Sequence, residues 1–264
     1  MKKLAIASAV FALGASVFAA ETQEAEQTDA FHESVKEESK NFTPVQISLA
    51  SPLSVTWGER DVYGLKANIF YGYSRNVYGL DLGLVGSNLG KFAGLQLNGF
   101  SVVDGDGCGV QFGALGNFVA KNFRGVQVGG LINWCRSEGV GSDDESELTA
   151  GVQLALFNFA SGIYGVQLGA MNWNSYTAKG CDLGFVNVAQ SDFSGLQLGA
   201  FNYTKGVFKG VQCGVFNMVF GMSDGLQLGL VNASDDHNGA QIGLLNLNTV
   251  AALPVMCIVN VNFR

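Results

Sequence analysis

The chain has 264 residues, of which 14% are charged and 48% are apolar, and its formal net charge is −7 at pH 7. The negative charge disfavours nucleic acid as a partner, because phosphates attract basic surfaces. The apolar content excludes disorder over most of the chain, and 36 glycines against 3 prolines favour β-structure with many tight turns.

The first twenty residues have the order of a secretory signal peptide. Lys2 and Lys3 form a short positive region, an apolar run over residues 4–18 follows, and Ala20 ends a small-residue cleavage site. The apolar run is shorter than the ~20 residues that a membrane-spanning helix needs. We therefore predict that residues 1–20 are removed on export, and the loss of two lysines takes the formal charge from −7 to −9. The expected location is the cell surface or the outer membrane, with the periplasm as the alternative.

Residues 21–43 differ in composition from the rest of the chain. They are rich in Glu and Asp and have few large apolar side chains, so they bury too little surface to offset the entropy of ordering. We predict an acidic, flexible leader. His32 lies in this leader with no second candidate ligand near it in sequence, so no metal site is predicted there.

Residues 44–264 form a tandem β-repeat domain. With glycine at position zero, the unit reads Gly, apolar, Gln, apolar, Gly, apolar, apolar, Asn, apolar, as in GLQLGLVN from Gly225. Most units have 15 residues, and one longer step carries an acidic insert at 135–150. The units begin at Gly64, Gly79, Gly94, Gly109, Gly125, Gly151, Gly165, Gly180, Gly195, Gly210, Gly225 and Gly239, and a last, glycine-free unit begins at Leu253.

The pattern within a unit predicts a strand followed by a corner. In the unit from Gly225, Leu226, Leu228 and Leu230 lie on one face of the predicted strand, and Gln227 lies on the other. Positions five and six are both apolar, and this break in phase at the same place in successive units indicates a corner or a bulge. The variable residues that complete each unit are turn formers.

Asparagine recurs at position seven and predicts a ladder. Identical amide side chains that stack in a parallel array can hydrogen-bond along the column. An ordinary turn-forming role would explain each asparagine but not their fixed phase. Earlier units have Gly86, Ser101 and Gly116 at this position, with Asn117 and Asn133 one residue late. The predicted ladder comprises Asn158, Asn172, Asn187, Asn202, Asn217, Asn232, Asn246 and Asn260.

Two all-β architectures fit the repeat. In a parallel β-solenoid each unit is one coil with its apolar residues facing inward, and thirteen units make a rod on the order of 60 Å long at ~4.8 Å per coil. In an outer-membrane antiparallel β-barrel the apolar residues face lipid, and the alternation from Val255 to Phe263 suits a terminal membrane strand. The solenoid is favoured because neighbouring units are alike, whereas a barrel repeats by hairpins. The alternation is also shorter than the ~9–11 residues that cross a bilayer.

Further motifs flank the repeats. PVQISL begins at Pro44, the stretches Tyr63–Asn68 and Asn76–Val85 follow, and LPVMCIVNVNF closes the chain except for Arg264. Over Pro44–Arg264 the sequence resembles a family of bacterial surface-repeat proteins with tandem GLQLGLVN-type repeats. The resemblance implies export, a surface location and a repeat architecture. It implies no activity, because that family has no established catalytic residues.

Residues that could carry chemistry are few, and no catalytic, cofactor-binding or metal-binding site is predicted. His237 follows Asp235 and Asp236 in a segment that we expect to be a solvated loop. Asp104–Gly107 has the start of a calcium loop without its later bidentate Glu, and the acidic run at 143–147 is expected to be a solvated insert. The five cysteines are Cys108, Cys135, Cys181, Cys213 and Cys257, and their odd number leaves at least one unpaired. Cys181 and Cys213 take apolar repeat positions and are predicted to be small core residues.

Two function hypotheses remain. The first is an exported structural or interaction protein of the cell surface or outer membrane. It is expected to be neither an enzyme nor a cofactor protein, and its variable turns are expected to contact an unidentified surface or extracellular partner. The second is an outer-membrane channel or pore, which requires the barrel.

Overall fold

The computed structural model describes residues 42–50, 53–54, 60–136, 149–251 and 253–263. The predicted signal peptide, His32 and the rest of the leader as far as residue 41, and the acidic insert residues 137–148 lie outside the described residues. The described chain is all β, with eighteen strands. No helix long and apolar enough to cross a membrane occurs in it.

The strands are numbered in chain order. The first nine are β1 Phe42–Ala50, β2 Leu53–Ser54, β3 Asp61–Ser74, β4 Asn76–Asn88, β5 Phe92–Val103, β6 Gly107–Val119, β7 Phe123–Gly129, β8 Ile132–Cys135 and β9 Thr149–Leu154. The other nine are β10 Phe157–Ala160, β11 Ile163–Asn174, β12 Ala178–Ala189, β13 Phe193–Leu198, β14 Phe201–Thr204, β15 Phe208–Cys213, β16 Phe216–Leu228, β17 Val231–Asn248 and β18 Val255–Asn262.

The strands pair in parallel and in register from one unit to the next. Gly180 of β12 aligns with Gly195 of β13, and Gly195 aligns with Gly210 of β15. The same alignment of repeat glycines runs from Gly64 to Gly239. The chain is therefore a parallel β-solenoid with twelve repeat glycines, one to each coil of ~15 residues. The predicted solenoid is confirmed, and the alternative antiparallel barrel is wrong.

Each coil has two strand segments and a corner between them. In the coil from Gly195, β13 carries positions −2 to three, Gly199 and Ala200 bend the chain, and β14 carries positions six to nine. The bend lies at the predicted break in phase. We call the outward side chains at position five the corner ridge, and the residues from position ten to the next repeat glycine the turn edge.

The repeat glycine has a conformation that other residues cannot adopt. Its φ lies between 122° and 152° in all twelve coils, a backbone region open almost only to glycine. A Cβ at Gly210 would also overlap the carbonyl oxygen of Gly195 in the preceding coil. The glycine column is thus required by backbone geometry and by the close approach of successive coils.

The predicted last unit is not a thirteenth coil. β18 pairs antiparallel with β17 and closes the end of the stack, with Asn260 aligned with Gln241. The prediction that Asn260 belongs to the asparagine column is therefore wrong, because Asn260 aligns with Gln241 at position two of the last coil. An antiparallel strand can close a parallel stack because it pairs with the last coil without continuing the repeat.

Two predicted boundaries also change. Cys135 lies in β8 and Ala150 in β9, so the insert is shorter than 135–150. Gly125 and Gly151 are in register with each other across it. At the other end, β1 begins at Phe42 and pairs in parallel with β3, so the acidic leader ends before residue 42.

The predicted inward orientation of the apolar residues is wrong. In the coil from Gly225, Gln227 is completely buried, whereas Leu226 and Leu228 are partly exposed and Leu230 is exposed. Across the coils, positions −2, two, seven and nine face the interior, and the apolar positions one, three, five, six and eight face outward. The alternation identified the two faces, but it did not identify which face the second strand segment covers.

Apolar side chains do fill part of the interior, beside the turn edge. They lie at positions −2 and nine, or at position ten in the two coils whose asparagine comes one residue late. They form two small clusters: Val62, Val77, Phe92, Val103, Val119, Phe123 and Cys135, and Ala160, Ile163, Ala178, Ala189, Phe193, Phe208 and Val219. The rest of the interior is polar.

Candidate functional site

The asparagine column is a continuous ladder inside the solenoid. Asn202 accepts a hydrogen bond from Asn187 at 2.8 Å and donates one to Asn217 at 2.8 Å. Its second amide N–H donates to the carbonyl oxygen of Cys213 at 3.0 Å and so fastens the corner of the next coil. The same pattern links Asn117, Asn133, Asn158, Asn172, Asn187, Asn202, Asn217, Asn232 and Asn246. The predicted ladder is confirmed, and it begins earlier than predicted.

The earlier start has a simple structural cause. Asn117 and Asn133 are one residue late in sequence, but a bulge between β5 and β6 brings Asn117 into register with Ser101. Asn133 then aligns with Asn117. A bulge absorbs one residue and restores the side-chain phase, so both asparagines reach the interior.

A second amide column at position two was not predicted. Gln212 donates to Gln197 at 2.8 Å, Gln227 to Gln212 at 2.8 Å, and Gln241 to Gln227 at 2.7 Å. The column comprises Gln46, Lys66, Asp81, Gln96, Gln111, Gln127, Gln153, Gln167, Asp182, Gln197, Gln212, Gln227 and Gln241, and Asn260 of β18 donates to its last member at 2.9 Å. The fixed phase of Gln in the sequence was the signal that could have identified it.

The two columns donate in opposite directions. The bonds of the asparagine ladder are donated to the following coil, as from Asn187 to Asn202, and those between glutamines are donated to the preceding coil, as from Gln212 to Gln197. The amide dipoles of the two columns therefore oppose each other. Buried amides satisfied in this way explain how a polar interior can be stable.

The glutamine column contains a buried ion pair near its start. Lys66 Nζ lies 3.4 Å from Asp81 Oδ2, and both side chains are completely buried. Lys66 also donates to Asn88 Oδ1 at 2.9 Å, and Gln96 donates to Asp81 at 3.0 Å. Burial lowers the pKa of Lys66, and the Asp81 carboxylate opposes that effect. The pair is fully bonded within the core and serves the stack rather than a solvent-accessible site.

A second aspartate interrupts the glutamine column without a cation beside it. Asp182 is completely surrounded by protein and accepts a hydrogen bond from Asn174 at 2.9 Å. Its side chain is one methylene shorter than glutamine, and Gln167 Oε1 and Gln197 Nε2 on either side have no hydrogen-bond partner. Burial raises the pKa of Asp182 to about 7, and the hydrogen bond from Asn174 only partly offsets it. A neutral carboxyl group can donate where Gln167 requires a donor.

The outer surface is apolar on three sides. Among the described residues, 36 large apolar side chains are exposed. Most of them cover the outer faces of both strand segments and the corner ridge, where Leu84, Leu156, Phe185, Leu230 and Leu244 are between 49% and 69% exposed. A few, Tyr176, Phe220 and Met222 among them, lie on the turn edge. Large apolar patches on a protein surface mark interaction sites.

Charge is confined to the fourth side. Apart from the buried Lys66, Asp81 and Asp182, the described Lys, Arg and Asp residues lie on the turn edge. They are nine cations and seven anions: Arg60, Arg75, Lys91, Lys121, Arg124, Arg136, Lys179, Lys205 and Lys209, and Asp61, Asp104, Asp106, Asp192, Asp224, Asp235 and Asp236. The solenoid is therefore amphipathic in cross-section.

No family model, curated protein or solved structure matches this chain. Its function must therefore be argued from its own geometry.

The prediction that His237 lies in a solvated loop is wrong. It belongs to β17, at the inward position −2, and is completely buried, with both ring nitrogens lacking a hydrogen-bond partner. Burial lowers its pKa, and the carboxylates of Asp224 and Asp236 partly oppose this. The loop prediction failed because the turn of this coil is as extended as a strand, so the side-chain alternation continues through it.

The predicted role of two cysteines is also wrong. Cys181 and Cys213 take outward positions and are half-buried on the apolar surface, not in the core. The cysteine that does face the interior is Cys135, where burial raises the thiol pKa to about 12. All five cysteines are unpaired.

The described residues offer no grouping that suits a metal ion or a nucleophile. No three His, Cys, Asp or Glu side chains come together in them. Asp104 and Asp106 are exposed in the turn between β5 and β6, and the acidic run at 143–147 lies outside the described residues. What the arrangement offers is a large, uncharged apolar surface on the stacked coils.

Proposed function

We propose that this is an exported structural or interaction protein of the cell surface or outer membrane, which acts by binding through its apolar outer faces and not by catalysis. The observation that supports it is the separation of apolar and charged residues around the cross-section. Exposed apolar area of this extent is unfavourable in water unless another apolar surface covers it.

The interior supports the same proposal. The stacked coils hold their polar groups in two inner ladders, so the buried amides and the Lys66–Asp81 pair are engaged in holding the stack together. A stack held by repeated coil-to-coil bonds is a stiff scaffold that keeps its outer residues in flat columns. The channel hypothesis depended on the antiparallel barrel and has lost that basis.

Retention on an apolar matrix tests the binding role. The chain without residues 1–20 should aggregate or bind a phenyl-substituted matrix in plain buffer, and a mild detergent should release it as a dispersed species. The reason is that detergent covers the exposed apolar side chains. A monodisperse protein that passes through the matrix without detergent would contradict the proposal.

N-terminal sequencing tests export. The protein isolated from its native envelope should begin at Ala20 or Glu21, because the small-residue site precedes Glu21. A mature protein that still contains Lys2 would contradict the export proposal.

A further inference from the structure

We propose that the apolar surface is covered by the acyl layer of a lipid membrane, with the solenoid axis in the membrane plane, the corner ridge inward and the turn edge at the headgroups. This inference rests on the proposed function and names the partner of the same surface.

The distribution of the apolar residues favours lipid over a second copy of the chain. A protein–protein interface of standard size uses about 20–30 residues on each side, in one contiguous patch. Here most of the 36 exposed large apolar side chains are spread over two faces and the ridge between them, and few, such as Phe220, lie on the turn edge. A twofold dimer would cover one face and leave the other face and the ridge in water, whereas lipid can cover all three.

The distribution of charge gives the orientation. The corner ridge contains only small or apolar residues in the coils that the structure describes, and the opposite edge holds the nine cations and seven anions. Amphipathic elements bind membranes with the apolar side in the acyl boundary and the charged side outward. Since the charges on the described turn edge nearly balance, the attraction of this edge to the headgroups should depend little on lipid charge or on salt, and binding should depend mainly on apolar area.

Two phenylalanines make a matched pair for testing the orientation. Phe185 lies on the corner ridge and is 63% exposed, and Phe220 lies on the turn edge and is 57% exposed. Phe220 takes position ten of its coil, the position of Lys205 in the preceding coil, so a charge is already accommodated there. Both side chains are on the surface, so replacing either should leave the fold intact.

The experiment is flotation of the chain without residues 1–20 on vesicles of phosphatidylcholine, alone or mixed with phosphatidylglycerol. We expect binding to both kinds of vesicle, with little effect of salt. Phe185→Asp should weaken binding by about tenfold or more, since it removes a large apolar contact and adds a charge in the acyl layer. Phe220→Asp should change it less than about threefold. Circular dichroism should show that both variants are folded.

The outcomes separate the two proposals. Retention on the phenyl matrix together with concentration-dependent oligomers and no vesicle binding would overturn the lipid assignment and leave the interaction role. Equal loss of vesicle binding in both variants, or in neither, would overturn the orientation. Failure to bind vesicles, the phenyl matrix and other copies would overturn the proposed function as well.

Discussion

Replacing Asp182 with glutamine should stabilise the protein at neutral and alkaline pH. The substitution restores the methylene that is missing from the column and places an amide between Gln167 Oε1 and Gln197 Nε2, neither of which has a partner. It also removes a carboxyl group that burial holds neutral. Both effects favour the folded state of the variant, but only the second depends on pH.

The magnitude follows from the pKa of the carboxyl group. Its pKa is about 7 in the fold against an ordinary value of 3.8, and at about 1.36 kcal/mol per pH unit the difference corresponds to about 4 kcal/mol. Because burial raises the pKa of Asp182 in the folded state, the wild type has its full stability below pH 3.8. It loses up to about 4 kcal/mol of that stability progressively as the pH rises to about 7. The advantage of Asp182→Gln should therefore be small at pH 4 and should reach up to about 4 kcal/mol at pH 8.

Chemical denaturation from pH 4 to pH 8, followed by circular dichroism, measures this difference. Subtracting the wild-type curve from that of the variant removes contributions common to both, such as that of the buried His237. Asp182→Asn is the matched control: it removes the charge but leaves the side chain short, so it should lose the pH dependence with a smaller gain in stability. A difference between Asp182→Gln and wild type that stays constant across this range would refute the argument that the carboxyl group is held neutral.

Three further predictions concern the stack. Asn202→Ala should destabilise the fold by roughly 1–3 kcal/mol in denaturant melts, because its partners above and below lose hydrogen bonds. Asn238→Ala on the turn edge should cost under about 0.5 kcal/mol, and equal effects would show that the column is not special. Gly210→Ala should destabilise by at least about 2–3 kcal/mol, since φ is 134° and its Cβ would meet the preceding coil; an unchanged melting curve would contradict this. Deletion of residues 195–209 should give a folded chain about 4.8 Å shorter by small-angle scattering, and an unfolded product would count against independent stacking of coils.

The sequence by itself determined the repeat, its length, the corner and the asparagine ladder. These features depend on local pattern: a glycine at fixed spacing sets the coil, and a break in alternation sets the bend. Identical residues at the same phase must stack when coils are parallel, so the hydrogen bond from Asn187 to Asn202 followed from spacing alone.

Only the tertiary structure decided which face of the coil is inside. Alternation divides residues such as Gln227 and Leu228 between two faces, but burial depends on where the second strand segment folds after the corner. The usual rule that apolar residues lie inside gave the wrong answer, because in-register stacking lets the glutamine and asparagine amides hydrogen-bond from one coil to the next. The burial of His237 and the antiparallel closing strand with Asn260 likewise depended on contacts between coils.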